Sequence, residues 1–132
     1  MARIAGICEP KRRDDLERML SRMRYRRHVT RSIWEGPAAT LGVVSPATQP
    51  APLLVHQDAV QVQDYVSDGH FARARIMNSD VTLQRDALGA APLYYGHTDS
   101  GALCFASEAG AVLALTHDVH ELPPGCCFEH GS

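Results

Sequence analysis

The sequence predicts an α+β chain with one N-terminal helix, one short C-terminal helix and a run of strands between them. Three observations carry this expectation. Leu16, Met19, Leu20 and Met23 recur at i, i+3, i+4 and i+7, which puts four apolar side chains on one face of a helix over about residues 11–25. From Val29 onward the apolar residues come in short runs, rich in β-branched and aromatic types and bounded by turn residues. Ser107 then offers a side-chain cap for a short helix through Leu115, with Glu108 placed against the positive end of its dipole.

Taken in order, Ile4 to Ile7 reads as a buried strand stopped at Glu9-Pro10, and Pro10 can open the helix. Strands are expected at Val29 to Trp34, Ala39 to Val44, Leu53 to His56, Phe71 to Met77, Val81 to Arg85, Leu93 to His97 and Leu103 to Ala106. Asn78-Ser79-Asp80 and Asp99-Ser100-Gly101 suit hairpin turns. Ser45 to Pro52, with three prolines, reads as a loop, and Asp58 to Tyr65 fits strand and helix alike.

Length and composition bound the class. A chain of 132 residues fits a single domain, 1–132, able to bury about two-thirds of its extended surface. With 45% hydrophobic residues and no apolar run long enough for a bilayer, it is expected to be neither disordered nor membrane-bound. The N-terminus lacks the apolar segment of a secretion signal, and four cysteines without a regular framework suit a reducing compartment. The expected location is cytoplasmic.

Charge is unevenly spread. Ten of the thirteen Lys and Arg lie within the first 31 positions against four of the fifteen acids, so this segment is near +6 and the remainder near −8. A helix bearing Arg18, Arg22, Arg24, Arg26 and Arg27 can contact phosphates, which makes nucleic-acid binding an alternative. The simpler expectation is a solvated outer face on a helix whose other face is Leu and Met. The same helix also suits an acidic surface on a partner protein or on another copy of the chain.

His117-x-x-His120 precedes Cys126-Cys127-x-x-His130, residue types that suit zinc. Adjacent cysteines on a strand point to opposite faces, however, and the spacing fits no standard zinc signature, so no metal ligand is assigned. His28, His56, His70 and His97 form no constellation. Arg85-Asp86 is expected to fix the turn between two strands through an ion pair.

The stretch Val81-Thr82-Leu83-Gln84-Arg85-Asp86-Ala87-Leu88-Gly89-Ala90-Ala91-Pro92-Leu93-Tyr94-Tyr95-Gly96, followed by Leu103-Cys104-Phe105-Ala106-Ser107-Glu108, resembles the glutamine amidotransferase domain of asparagine synthetases. This is the class II type, whose N-terminal residue is the nucleophile. Other anchors follow in the same order along the chain. Met1-Ala2-Arg3-Ile4-Ala5-Gly6-Ile7 stands where the family has Met-Cys-Gly-Ile-Ala-Gly-Ile, and Arg22-Met23-Arg24-Tyr25-Arg26-Arg27 resembles its Met-x-His-Arg-Gly-Pro-Asp. Gln49-Pro50, Asp68-Gly69-His70-Phe71-Ala72-Arg73-Ala74 and Glu121-Leu122-Pro123-Pro124-Gly125 match later segments. The resemblance implies a reduced Ntn-hydrolase-type sandwich of two mainly antiparallel sheets. Loss of most of the helical layer on one side would leave apolar sheet surface in need of a partner.

The chemistry is carried over residue by residue. In the family, removal of Met exposes a Cys whose thiol attacks the glutamine side-chain amide while its own α-amine acts as base. Position 2 is Ala here, and Arg3 replaces Gly; removal of Met1 would leave a free amine but no nucleophile. Arg27, His28 and Val29 stand for Gly-Pro-Asp. The Arg-Leu-Ser segment that helps bind the glutamine carboxylate would fall near Leu41-Gly42-Val43-Val44, where there is no Arg. The Asn-Gly-Glu segment that stabilises the oxyanion has no clear counterpart, Asp68-Gly69 being the one register that would restore part of it. Cys8 is a poor substitute, since exposing it takes cleavage after Ile7 inside the first strand; a half-buried strand-end thiol is expected instead.

The resemblance therefore implies no catalytic, cofactor-binding or metal-binding residue. It points to a degenerate, non-catalytic amidotransferase-like module, a pseudoenzyme that self-associates or partners an asparagine-synthetase-like amide-forming enzyme. The alternative is an active glutaminase with a substitute nucleophile. No Ser-Gly-Gly-x-Asp-Ser loop for ATP occurs, so the synthetase domain that follows in the family is not expected within these residues, and the chain reads as a stand-alone remnant or as a domain of a longer protein.

Overall fold

Ile4-Ala5-Gly6-Ile7 is apolar at every position because the strand it forms, β1 (Arg3–Ile7), is buried on both faces. Ile4 belongs to a core between two sheets, whereas Ala5 and Ile7 belong to a second core beneath the helices. The computed structural model of the protein describes residues 3–23, 29–46, 53–56, 59–67, 70–78 and 80–130. After β1 come α1 (Arg13–Ser21), β2 (Val29–Glu35), β3 (Thr40–Pro46), β4 (Leu53–His56), β5 (Ala59–Ser67), β6 (His70–Met77) and β7 (Asp80–Arg85). β8 (Tyr94–His97), β9 (Leu103–Ala106), α2 (Ala109–Leu113), β10 (His120–Glu121) and β11 (Cys127–His130) complete the chain.

The class is α+β. One sheet has the order β10-β8-β9-β1-β3-β2 and the other β11-β7-β6-β5-β4, and every pairing is antiparallel. Leu41, Val43, Leu103 and Phe105 from the first sheet meet Val60, Val62, Ala72, Ala74, Ile76, Val81 and Leu83 from the second. Gly6 leaves room for the ring of Phe105, its cross-strand neighbour on β9: a methyl group in its place would collide with that ring. On the other side of the first sheet, Leu16, Met19, Leu20 and Met23 of α1 and its C-terminal turn pack with Ala111 and Val112 of α2, so the predicted apolar stripe is the buried one.

Several sequence expectations change or are decided. The helix begins at Arg13 rather than near residue 11, because Lys11 takes a left-handed conformation at φ 59° and breaks the chain direction after Pro10. Of the segment Asp58 to Tyr65, Asp58 lies outside the described residues and the rest falls in β5, where Val60 and Val62 face inward and Gln61 and Gln63 outward. The short strands β10 and β11 were not expected. The outward positions of the second sheet are less apolar than anticipated: they hold Gln61, Gln63, Arg73, Arg75, Thr82 and Gln84 beside the apolar Phe71 and the exposed Met77, so this antiparallel sheet turns a mostly polar face outward. Residues 47–52 of the proline-rich loop lie outside the described residues, while Ser45 and Pro46 extend β3.

Arg85 and Asp86 do fix a turn, by a different device from the expected ion pair. The Arg85 guanidinium is buried and donates to the carbonyls of Ala91 (2.9 Å), Leu122 (2.8 Å) and Gly89 (2.7 Å), with Glu121 at 3.6 Å. The Asp86 carboxylate accepts the amides of Phe71 (3.0 Å), Leu88 (3.2 Å) and Gly89 (3.3 Å). One residue satisfies carbonyls and its neighbour satisfies amides, so a loop that follows β7 and precedes β8 is held without its own secondary structure. Arg85→Met strands three carbonyl partners, two of them in buried hydrogen bonds, and is expected to cost about 3 kcal/mol, read as a lower urea midpoint at unchanged slope.

The β8–β9 hairpin is tied to the β1–α1 loop through Glu9. The hydrogen bond from Ser100, more than the Arg12 pair, holds the Glu9 carboxyl below the usual carboxylate range. A carboxyl depressed in the folded state stabilises the fold above its unfolded pKa, and that contribution disappears as pH falls through the folded value. Ser100→Ala is accordingly expected to lower stability at pH 7, with the gap from the parent protein closing in acid; denaturation midpoints across pH 2–7 measure it.

Candidate functional site

The N-terminal end of β1 is where the implied nucleophile would stand, and three elements frame it. β3 lies antiparallel on one side, pairing Arg3 with Val44 and Ile4 with Val43, and β9 lies on the other, pairing Ala5 with Ala106. Beyond β9 the chain continues the ladder for one more residue. The Ile4 amide donates to the Ser107 hydroxyl (2.8 Å) and the Ser107 amide to the Ile4 carbonyl (2.9 Å), both buried. Ser107 is therefore not the cap of α2 that the sequence suggested. Glu108 occupies the N-cap position in an extended conformation, with no side-chain cap hydrogen bond, because the Ser107 hydroxyl is committed to β1.

Arg3, which replaces the small Gly of the resemblance, sends its guanidinium to Glu108 at 3.5 Å. Ser45 completes the frame. It follows Leu41 and Val43 on the inter-sheet side of β3, is 1% exposed, and its hydroxyl has no hydrogen-bond partner among the described residues. Neither Ser45 nor the use of Ser107 could be found from sequence, since both depend on which strands become neighbours; the only signal was the position of Ser107 within Phe105-Ala106-Ser107-Glu108. Ala2, the Arg24 to His28 segment and Asp68-Gly69 lie outside the described residues, and Leu41 to Val44 forms the middle of β3.

The other candidate residues are placed apart from this end. His120 contacts Asp118 at 2.6 Å and His97 contacts the same carboxylate at 3.5 Å; the His120 hydrogen bond, with the His97 amide, holds Asp118 below the usual carboxylate range. Cys126 and Cys127 are exposed, and His117 is exposed. No group of three or more His, Cys, Asp or Glu suited to a metal ion occurs among the described residues. The cations near α1 are partly engaged within the chain. Arg12 pairs with Glu9 (3.0 Å) and Asp15 (2.7 Å), Arg13 with Glu35 (3.4 Å), and Arg18 with Asp15 (3.2 Å) and the Ala114 carbonyl (2.8 Å).

Residues 50–114, from the approach to β4 through α2, match the family model described as glutamine amidotransferase domain. The chain carries a glutamine amidotransferase-type domain. The matched segment contains Arg85, Asp86, Ser107 and Glu108, that is, both the polar lock on the turn after β7 and the residues that hold the end of β1. No curated protein matches the chain. No helix among the described residues is long and apolar enough to cross a membrane.

Within this amidotransferase-type domain, two thiols lie near the first sheet and neither is activated. Cys8 is at the C-terminal end of β1, its amide donating to Leu103 (2.8 Å), and burial, with the neighbouring Cys104, pushes its thiol up to about 12. Burial likewise pushes Cys104 to about 11. A thiol so raised is protonated at neutral pH, and the thiolate is the attacking species. Under native conditions near neutral pH, Ellman's reagent is expected to titrate two thiols, the exposed Cys126 and Cys127, with Cys8 and Cys104 reacting only on unfolding. Rapid reaction of all four would contradict this assignment.

Proposed function

We propose that this amidotransferase-type domain does not hydrolyse glutamine and serves as a binding module, associating with a second copy of itself or with an asparagine-synthetase-like, amide-forming enzyme. The observation that carries the reading is Ala2, which stands two residues before Ile4-Ala5-Gly6-Ile7 at the place of the family's nucleophilic Cys. A methyl group has no lone pair with which to attack an amide.

The surroundings support it. The Ser107 hydroxyl at the strand end accepts the Ile4 amide, and Glu108 pairs with Arg3, so both side chains have structural partners among the described residues. The half-buried Cys8 and the buried Cys104 have raised pKa values, the opposite of what a nucleophile requires. Four free cysteines suit a reducing compartment, and we place the module in the cytoplasm. Nucleic acid is the less suitable partner, because Arg12, Arg13 and Arg18 already have acidic partners within the chain.

A coupled glutamate-release assay tests the catalytic half of the reading. Neither the parent protein nor Ala2→Cys is expected to release glutamate from glutamine above the buffer rate. Turnover by the parent overturns the reading and sends attention to a substitute nucleophile. Turnover by Ala2→Cys alone would mean that the glutamine-holding parts persist and that a single side chain was lost.

A further inference from the structure

We propose that the outward face of the β11-β7-β6-β5-β4 sheet is the surface on which a second copy of this chain docks, by a two-fold contact that sets Arg75 of one copy against Glu129 of the other. The proposal rests on the self-association arm of the functional reading and names its interface. Among the described residues, neither helix lies on this face; α1 and α2 share the core on the far side of the other sheet.

The charge pattern singles the face out. Residues 32–132 contain three cations, Arg73, Arg75 and Arg85, and Arg85 is buried. The positive charge that this region shows to solvent therefore lies on one strand, β6, at alternate positions and so on one face. The strand registers extend it into rows. Gln61, Arg75, Thr82 and Glu129 form one row across β5, β6, β7 and β11, and Gln63, Arg73, Gln84 and Cys127 form the next. Cations stand on β6 and an exposed acid, Glu129, on the edge strand β11, two strands away with neutral Thr82 between them.

Such a row is complementary to itself. An axis running along β7 exchanges β6 and β11 when two faces are laid together, so each Arg75 meets the partner's Glu129, while Thr82, Gln84 and, at the strand's exposed start, Asp80 lie on the axis and meet their own copies. Aligned packing of two twisted sheets keeps the rows close to this register. Arg73 is held in place beforehand: its guanidinium lies 4.2 Å over the Phe71 ring, Nε donates to Gln63 (3.0 Å) and Nη1 to Gln84 (3.5 Å). The face is thus mostly polar and partly ordered, with Phe71 and Met77 as its apolar members and no ion pair among the described residues that uses Arg75 or Glu129. Rim-type charge pairing of this sort makes a weak, salt-sensitive dimer.

Sedimentation equilibrium over a range of protein concentrations, in low and high salt, tests the proposal. A concentration-dependent dimer is expected in low salt, weakened about tenfold or more by high salt. Arg75→Glu and Glu129→Arg are each expected to weaken it about tenfold, and the double swap to restore it to within a few-fold of the parent. Circular dichroism on each variant reports its fold independently. A parent protein that stays monomeric at all concentrations, a dimer indifferent to both substitutions, or a double swap without recovery overturns the interface. Glutamate release measured on the same fractions separates the two readings: turnover by an intact, charge-dependent dimer overturns the non-catalytic reading and leaves the interface standing, whereas an inert monomer overturns the interface alone.

Discussion

Everything in this protein is arranged around a strand that has no solvent face. Ile4, Ala5 and Ile7 are fully buried, and they contribute to two different cores, one between the sheets and one under the helices. A strand in that position must be apolar on both sides, must pair on both edges, and must be fastened at its ends by polar groups from elsewhere. β3 and β9 supply the edges. Ser107 supplies the fastening at the end where an N-terminal nucleophile would work, and the Cys8 amide bonded to Leu103 supplies it at the other.

The second constraint is the closing of the turn between β7 and β8. Arg85 leaves the second sheet and gathers carbonyls from the loop and from Leu122, which itself follows β10 of the first sheet. A guanidinium with five donors in a planar fork can satisfy several carbonyls at once, which a Lys cannot. This explains why a cation is tolerated at a buried position on β7 and why its neighbour, Asp86, takes the complementary task of accepting amides. The Arg-Asp pair is thus structural in a domain whose family is named for chemistry.

The frame that positions β1 has its ladder extended to Ser107, and the sequence carries Ala2 and Arg3 where the resemblance has a nucleophilic Cys and a small Gly. On the non-catalytic reading proposed above, the surfaces of the scaffold are its functional part. The polar outward face of the second sheet is one such surface. It was expected to be apolar because a missing helical layer implies uncovered core; the alternation of Gln61, Gln63, Arg73 and Arg75 with inward apolar residues makes it mostly polar instead.

The sequence by itself determined the α+β class, eight of the eleven strands among the described residues, the buried stripe of α1 and the glutamine amidotransferase character, because these rest on periodicity and on ordered local motifs. It misplaced what depends on a single backbone angle or on a distant neighbour. Lys11 at positive φ delays α1 beyond Pro10, and no local propensity announces that conformation for a lysine. Ser107 looks like a helix cap because Ser before a helix is a good one, yet Ile4, more than a hundred residues away, takes its hydroxyl. The protonation of Cys8, the carbonyl partners of Arg85 and the rows of charge across the second sheet were likewise decided only by the tertiary structure, since burial and cross-strand register join residues that are far apart in the chain.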